Sequence, residues 1–256
     1  MLALITGGAR GLGAAIADRL AASGYGLALL DVNEEALGRT GTELRRRHDV
    51  PVLTRICDVR SAAQVTAAFD AAEEIGSPTA LVNSAGIGRY SKFVDLTEEE
   101  WDNTFAVNTK GTFLTCQQML RRAEPESAIV NLASIGARMG AELLAHYGAS
   151  KAAVIELSHS VARVGAQQHI RSNTVLPGFI HTDIWTDTVA WARDRDPSLA
   201  GVSDQEFFDN YVERAVPMRR AQTPQDIAET VAFLLSPAAR NITGQTIAVD
   251  GGVILT

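Results

Sequence analysis

Leu2-Ala3-Leu4-Ile5-Thr6-Gly7-Gly8-Ala9-Arg10-Gly11-Leu12-Gly13 is the stretch whose reading decides the fold. The apolar run Leu2–Thr6 is too short for a buried helix and is cut by glycines, so it reads as a strand. An amphipathic stretch near 11–23 follows and reads as a helix. Glycines between the two let the backbone turn tightly. They also let a phosphate approach the helix N–H groups without Cβ clashes. The spacing, Gly7-x3-Gly11-x-Gly13, differs from the general G-x-G-x-x-G, so the turn alone points to a dinucleotide only moderately.

The same unit recurs along the chain. Short apolar runs at Leu2–Thr6, Gly26–Asp31, Pro51–Cys57, Thr79–Asn83, Ala128–Ala133, Ile170–Leu176 and Thr246–Asp250 read as seven strands. Several are apolar nearly throughout, as parallel strands buried on both faces must be. Helical stretches near 11–23, 33–48, 61–76, 98–121, 145–167 and 224–236 separate them. Thr97-Glu98-Glu99-Glu100 is a capping box, and Thr223 before Pro224 marks another helix start. This alternation predicts an α/β fold: a single doubly wound Rossmann-type domain over 1–256, with a seven-stranded parallel sheet and helices on both faces. His181–Gln222 is too long for an ordinary loop. It reads as a substrate-binding lid at about 181–222, with Ser203-x-x-Glu206 starting a helix and a hinge near 194–202.

Composition narrows the function classes. The net charge is −7, which disfavours a nucleic-acid partner. Two cysteines, Cys57 and Cys116, form no CxxC pair, and the histidines are dispersed, so neither a disulfide framework nor a metal site is expected. No apolar run reaches the ~18 residues needed to span a bilayer, and the N-terminus lacks signal-peptide character. A cytoplasmic protein without membrane contact is the expectation.

Two further features carry chemistry. Asp31 closes the second strand, where a carboxylate can accept hydrogen bonds from the hydroxyls of an adenosine ribose. It could equally cap the helix that follows, a role open to Asn33 as well. Ser134 ends the fifth strand, at the end of the sheet where open α/β folds bind ligands. Tyr147 and Lys151 come next, one helical turn apart on one face. Tyr-x3-Lys alone means little; glycine turn, strand-end Asp, strand-end Ser and Tyr-x3-Lys in this order are far more specific. His146 beside Tyr147 does not make a Ser–His hydrolase, because Ser134 lacks a G-x-S-x-G elbow.

With these motifs the whole chain resembles the short-chain dehydrogenase/reductase family. The resemblance extends to Asp58-Val59, Asn83-Ser84-Ala85-Gly86, Asn108, Pro177-Gly178, Thr182 and Asp250-Gly251-Gly252. It implies an NAD-dependent oxidoreductase interconverting a secondary alcohol and its ketone. Tyr147 is then the general acid/base, Ser134 the holder of the substrate oxygen, and Lys151 the ribose-binding cation that depresses the phenol. Asn108 completes the catalytic set by positioning a water. The implied cofactor contacts are Gly7, Arg10, Gly11, Leu12, Asp31, Asp58, Val59, Asn83, Ala85, Gly86, Tyr147, Lys151, Pro177, Gly178, Ile180 and Thr182. Ser84 departs from the Asn-Asn-Ala-Gly common in the family. Free tyrosine, with a pKa of ~10, is a poor base at neutral pH, and moving it to ~7 takes roughly 4 kcal/mol.

Asp31 should favour NAD by repelling a 2′-phosphate, whereas Arg10 occupies a position where family members using NADP often carry a basic residue. A catalytically silent dinucleotide-binding sensor of the same fold is the alternative, but such a protein should have lost Tyr147 or Lys151. For the substrate, Ser134, Tyr147, Phe179 and Trp185 are the expected contacts. Small polyols and acyloins are one class; an acid group anchored by Arg138 is the other. The lid aromatics Trp185, Trp191, Phe207, Phe208 and Tyr211 either line the pocket or hold the lid to the body. The family implies a homotetramer, and Leu143, Leu144, Val154, Leu157 and Val161, with the apolar C-terminal run, offer surface for it.

Overall fold

The glycine turn follows the first of seven strands: β1 (Leu2–Thr6), β2 (Gly26–Asp31), β3 (Val52–Ile56), β4 (Pro78–Asn83), β5 (Ala128–Leu132), β6 (Arg171–Pro177) and β7 (Thr246–Val249). The computed structural model describes residues 1–140, 142–181, 189–193, 196, 199 and 201–255. All pairings are parallel, in the order β3-β2-β1-β4-β5-β6-β7. The fold class therefore agrees with the reading from sequence, and observed and expected strand ends differ by a residue at most.

Alternation along each strand sorts the core into two layers. Ala3, Ile5, Leu27, Leu29 and Val130 face one side, against α1 (Gly11–Ala21), α2 (Glu34–Arg47) and α8 (Pro224–Leu235). Leu2, Leu4, Leu30, Leu81 and Ile129 face the other, against α3 (Ala62–Glu73), α5 (Gly111–Arg122) and α6 (Ala145–Gly165). Two further helices, α4 (Glu98–Phe105) and α7 (Asp204–Ala215), flank the carboxyl ends of the strands. The capping box at Thr97 and the helix start at Thr223 form as read, the latter also closing a capping box with Asp226, and Arg171 on β6 donates to the carbonyls of Leu234 (2.6 Å) and Leu235 (3.3 Å), closing the C-terminus of α8.

The stretch 98–121 is not one helix. A π-helical turn over Ala106–Lys110 separates α4 from α5. The extra residue in this wide turn brings Asn108 inward, where it is fully buried. Part of the apolar surface ascribed to subunit contact is covered within the chain: Leu143, Val154 and Val161 are all buried. Among the described residues no helix is long and apolar enough to cross a membrane.

Candidate active site

The direction of winding reverses between β1 and β4, so a crevice opens at their carboxyl ends. Thr6 Oγ1 accepts the N–H groups of Ser84 (3.2 Å) and Ala85 (3.1 Å), joining the loops after these two strands. A Cβ on Gly7 would lie 2.8 Å from the Ala85 nitrogen, and one on Gly13 would lie 2.0 Å from the Gly7 oxygen. Only glycine permits this turn. Helices α2, α3, α4, α7 and α8 start with a side-chain cap; α1 has none, and no acidic residue in its first turn. Its uncapped N–H groups and positive dipole end suit a phosphate.

From this turn a cavity of about 480 Å³ extends to Asp31, Arg10, Asp58, Val59 and Arg60. Asp31 does not cap α2; Asn33 does, accepting from Ala36 N–H at 3.0 Å. Asp31 instead accepts the Ala9 N–H (3.1 Å) and the Asn33 N–H (3.0 Å), which hold its carboxylate at the cavity wall. Asp58 pairs with Arg60 at 2.7 Å, and that hydrogen-bonded guanidinium holds its carboxyl below the ordinary range. Arg60 also donates to Asn103 at 2.8 Å, tying this wall to α4.

A second cavity, about 470 Å³, adjoins the first at Leu12, Ser84, Gly86 and Ile87. Ser134, Tyr147 and Lys151 line it, with Pro177, Gly178, Phe179 and Ile180 opposite. Ser134 hydrogen-bonds the Tyr147 phenol, and its Oγ accepts the Gly136 N–H at 3.0 Å. Lys151 donates to the Leu132 carbonyl at 2.9 Å, with Nζ 5.8 Å from the Tyr147 ring centre. Asn108 accepts the Ile87 N–H (2.8 Å) and donates to the Ile87 carbonyl (2.9 Å) and Ser150 Oγ (2.9 Å). It thus clamps the β4 loop to the residue before Lys151.

Burial raises the Tyr147 phenol above its ordinary value, and the Ser134 hydroxyl partly offsets this. Burial lowers Lys151 to about 8. In the chain by itself burial is the largest influence on the phenol, and Lys151, held by the Leu132 carbonyl, is not among the groups that shift it.

Two expected contacts fall elsewhere. The Asn83 side chain turns into the core, bonded to Asn131 (2.8 Å) and Thr115 (2.6 Å), and pins β4 to β5 and α5. Arg138 borders a neighbouring depression that meets the catalytic cavity at Gly136, Met139, Gly140 and Leu144. Gly11 lines neither cavity, but it is the first residue of α1 and so belongs to the uncapped helix end that suits a phosphate. Thr182 and Trp185, with part of the expected lid, lie outside the described residues. Of the lid aromatics, Phe207 and Phe208 pack with Val212, Val216 and Phe179, whereas Tyr211 lines the cavity.

Sequence reasoning missed the clamp on the tyrosine. A Cβ on Gly88 would lie 2.8 Å from Tyr147 Cδ2, and one on Gly136 would lie 3.6 Å from Cε1. Glycine backbone thus covers both edges of the ring. A Cβ on Gly148 would lie 2.7 Å from the Gly136 oxygen, so α6 docks directly on the turn after Ser134. It also missed Tyr90, which lines the cavity from the β4 loop. No motif marks these positions; only the approach of three separate segments does.

A glycine-cradled crevice that ends in a half-buried Ser and Tyr and a buried Lys defines an α/β dinucleotide-binding enzyme. The chain belongs to the short-chain dehydrogenase/reductase family of oxidoreductases. Residues 7–254 match the family profile described as enoyl-(acyl carrier protein) reductase. D-threitol dehydrogenase of Mycolicibacterium smegmatis is 35% identical over 98% of this chain and 92% of its own length. The 3-oxoacyl-(acyl-carrier-protein) reductase of Staphylococcus aureus is 36% identical over 99% of this chain and 98% of its own. A variant of actinorhodin polyketide ketoreductase, solved with NADPH, superposes with a TM-score of 0.87 at 34% identity, covering 98% of this chain and 96% of that one.

Proposed function

We propose that the protein is a nicotinamide-dinucleotide oxidoreductase that interconverts a neutral secondary alcohol and its ketone, with Tyr147 as general acid/base and NAD as the preferred cofactor. The observation that carries this reading is the convergence of Ser134, Tyr147 and Lys151 at one end of a crevice whose other end is walled by Asp31. The uncapped start of α1, set between them, fits the pyrophosphate.

The bound cofactor supplies the hydride acceptor and, when oxidised, a positive charge at the Tyr147 end. The chain's own groups handle the proton. Ser134 donates to the oxygen on Tyr147, which favours the phenolate. The Lys151 ammonium adds to that field while it remains protonated, below pH about 8. Gly88 and Gly136 fix the ring so that its oxygen meets the substrate oxygen in one geometry.

Among the described residues Lys151 is the one charged side chain lining the catalytic cavity. Among those residues a substrate carboxylate would find no other counter-ion, which favours a neutral substrate over the Arg138-anchored acid. The relatives' names cover both directions, a dehydrogenase and a reductase. Asp31 supports NAD; a 2′-phosphate beside it would be repelled by ~1 kcal/mol in water to ~4 kcal/mol at an effective dielectric of 20. Arg10 and the NADPH held by the related ketoreductase favour the second reading, NADP. The two buried, free thiols agree with a reducing cytoplasmic setting.

The test is turnover of a panel of secondary alcohols and ketones with NAD(H) and NADP(H), read at the absorbance of the reduced nicotinamide. Tyr147→Phe should lower kcat by at least a thousandfold and leave cofactor affinity within about threefold. Turnover within tenfold of the parent would overturn the assignment.

A further inference from the structure

A dinucleotide with its reactive end at Tyr147 and its phosphates at the start of α1 leaves one part of the first cavity for the base. The walls beyond Asp31 are made by Cys57, Asp58, Val59 and Arg60 after β3, and by Asn103 and Val107 on α4 and the π-helical turn. Val59 and Val107 give this end apolar sides. Val59 is buried and seats against α5 where Gly111 has no side chain; a Cβ there would lie 2.6 Å from Val59 Cγ2. The Cys57 N–H donates to the Asp31 carbonyl at 2.9 Å, and the Asp58 N–H to Gln64 Oε1 at 2.8 Å. The loop is thereby tied to the end of β2 and to α3.

Arg60 fixes the polar edge of this slot. Its backbone N–H (2.9 Å) and Nε (3.0 Å) donate to Asp58 Oδ1, and Nε (3.0 Å) and Nη2 (2.7 Å) donate to Oδ2. Nη1 donates to Asn103 Oδ1 at 2.8 Å, so the guanidinium is held from α4 as well. Held from both sides, the planar fork gives the carboxylate a single orientation. The Arg60 hydrogen bonds, with the charge of Lys110, also keep Asp58 ionised, so that it only accepts. Three N–H groups occupy its two oxygens. A carboxylate offers about four lone-pair sites, so one more donor can be taken. An acceptor fixed beside a base slot favours a base with an amino group at that edge; a carbonyl there would set two acceptors against each other.

We propose that Arg60 is a positioning residue for the cofactor base: by fixing Asp58 as an acceptor, it makes the protein select a dinucleotide whose base carries an exocyclic amino group, adenine, over one with a carbonyl in that place. This rests on the dinucleotide reading given under Proposed function. The family resemblance places Asp58 and Val59 beside the cofactor; Arg60 lies outside that set and enters through its hydrogen bonds alone.

The test compares NADH with its hypoxanthine analogue, which has a carbonyl oxygen where adenine has its amino group, by titration of reduced-nicotinamide fluorescence. NADPH and its hypoxanthine analogue form a second pair. The parent should bind the adenine member at least about tenfold more tightly, the worth of one hydrogen bond to a charged group. Arg60→Met keeps much of the side-chain bulk and removes the guanidinium; it should lower that preference at least about fivefold. Arg60→Lys keeps the charge but cannot span both Asp58 oxygens and Asn103, so it should not restore the preference. In Asp58→Ala the preference should be near one, and adding Arg60→Met should change it no further, because Arg60 acts through Asp58. A damaged fold weakens both members of a pair together, so the ratio separates positioning from scaffolding. A parent ratio near one, a ratio unchanged in Arg60→Met, full restoration by Arg60→Lys, or independent losses at the two sites overturns the proposal. Binding of both members without discrimination leaves the Proposed function standing, whereas a parent that binds no member of either pair overturns both.

Discussion

Lys151 is held as a strained cation, and its replacement should separate stability from activity. Burial lowers its pKa from 10.5 to about 8. At 1.36 kcal/mol per pH unit this is a penalty of about 3 kcal/mol for keeping the charge inside. The folded value lies below the unfolded one. Below pH 8 both states are protonated and the penalty is fully present. From pH 8 to 10.5 the unfolded chain binds a proton that the folded chain lacks, so stability rises with pH. Lys151→Met removes the charge but orphans the Leu132 carbonyl that the ammonium bonds at 2.9 Å, a loss of about 1–3 kcal/mol. At pH 7 the variant should therefore lie between equal stability and a gain of about 2 kcal/mol. That is a Tm rise of up to roughly 8 °C at ~2–4 °C per kcal/mol for a chain of this size. At pH 9.5 only about 1 kcal/mol of the penalty remains, so the parent should gain about 2 kcal/mol on the variant between pH 7 and 9.5. Urea denaturation followed by circular dichroism at the two pH values measures this, and turnover of the variant should fall at least a hundredfold. A variant less stable than the parent by more than about 2 kcal/mol at both pH values, with no change between them, would refute the buried-cation argument.

Three other outcomes are expected. Asp31→Ala should narrow the ratio of kcat/KM with NAD to that with NADP by at least tenfold, since the carboxylate at the cavity wall is gone and Arg10 remains; an unchanged ratio would mean that Asp31 does not set it. Gly88→Ala should lower kcat about tenfold with little change in cofactor Kd, because a Cβ 2.8 Å from Tyr147 Cδ2 must push the ring aside; parent-like kcat would show that the ring tolerates the shift. The protein is proposed to be a homotetramer, with Phe113, Phe233 and Leu255 as exposed apolar groups for subunit contacts; light scattering at micromolar concentration should give four chains, and a monomer would refute it.

What the sequence determined by itself is local or periodic. Strand runs such as Gly26–Asp31 are apolar because both faces are covered, and that pattern is visible without coordinates. The glycine turn was legible because backbone close approach excludes every other residue, as the 2.0 Å contact at Gly13 shows. Ser134, Tyr147 and Lys151 were legible because a strand end and one helical turn place them. What tertiary structure decided depends on segments distant in the chain. The break at Ala106–Lys110 follows from Asn108 reaching Ile87 and Ser150, and nothing in the amphipathic pattern of 98–121 signals it. Asn83 sits in a stretch that passes the crevice, yet its side chain bonds Asn131 and Thr115, because strand pleating aims it at α5. The Tyr147 phenol rises because burial, which sequence does not report, is the largest influence on it. Gly88 and Gly136 acquire their roles only where the loops after β4 and β5 meet α6, and the distances between these segments are set by the packing of the whole sheet.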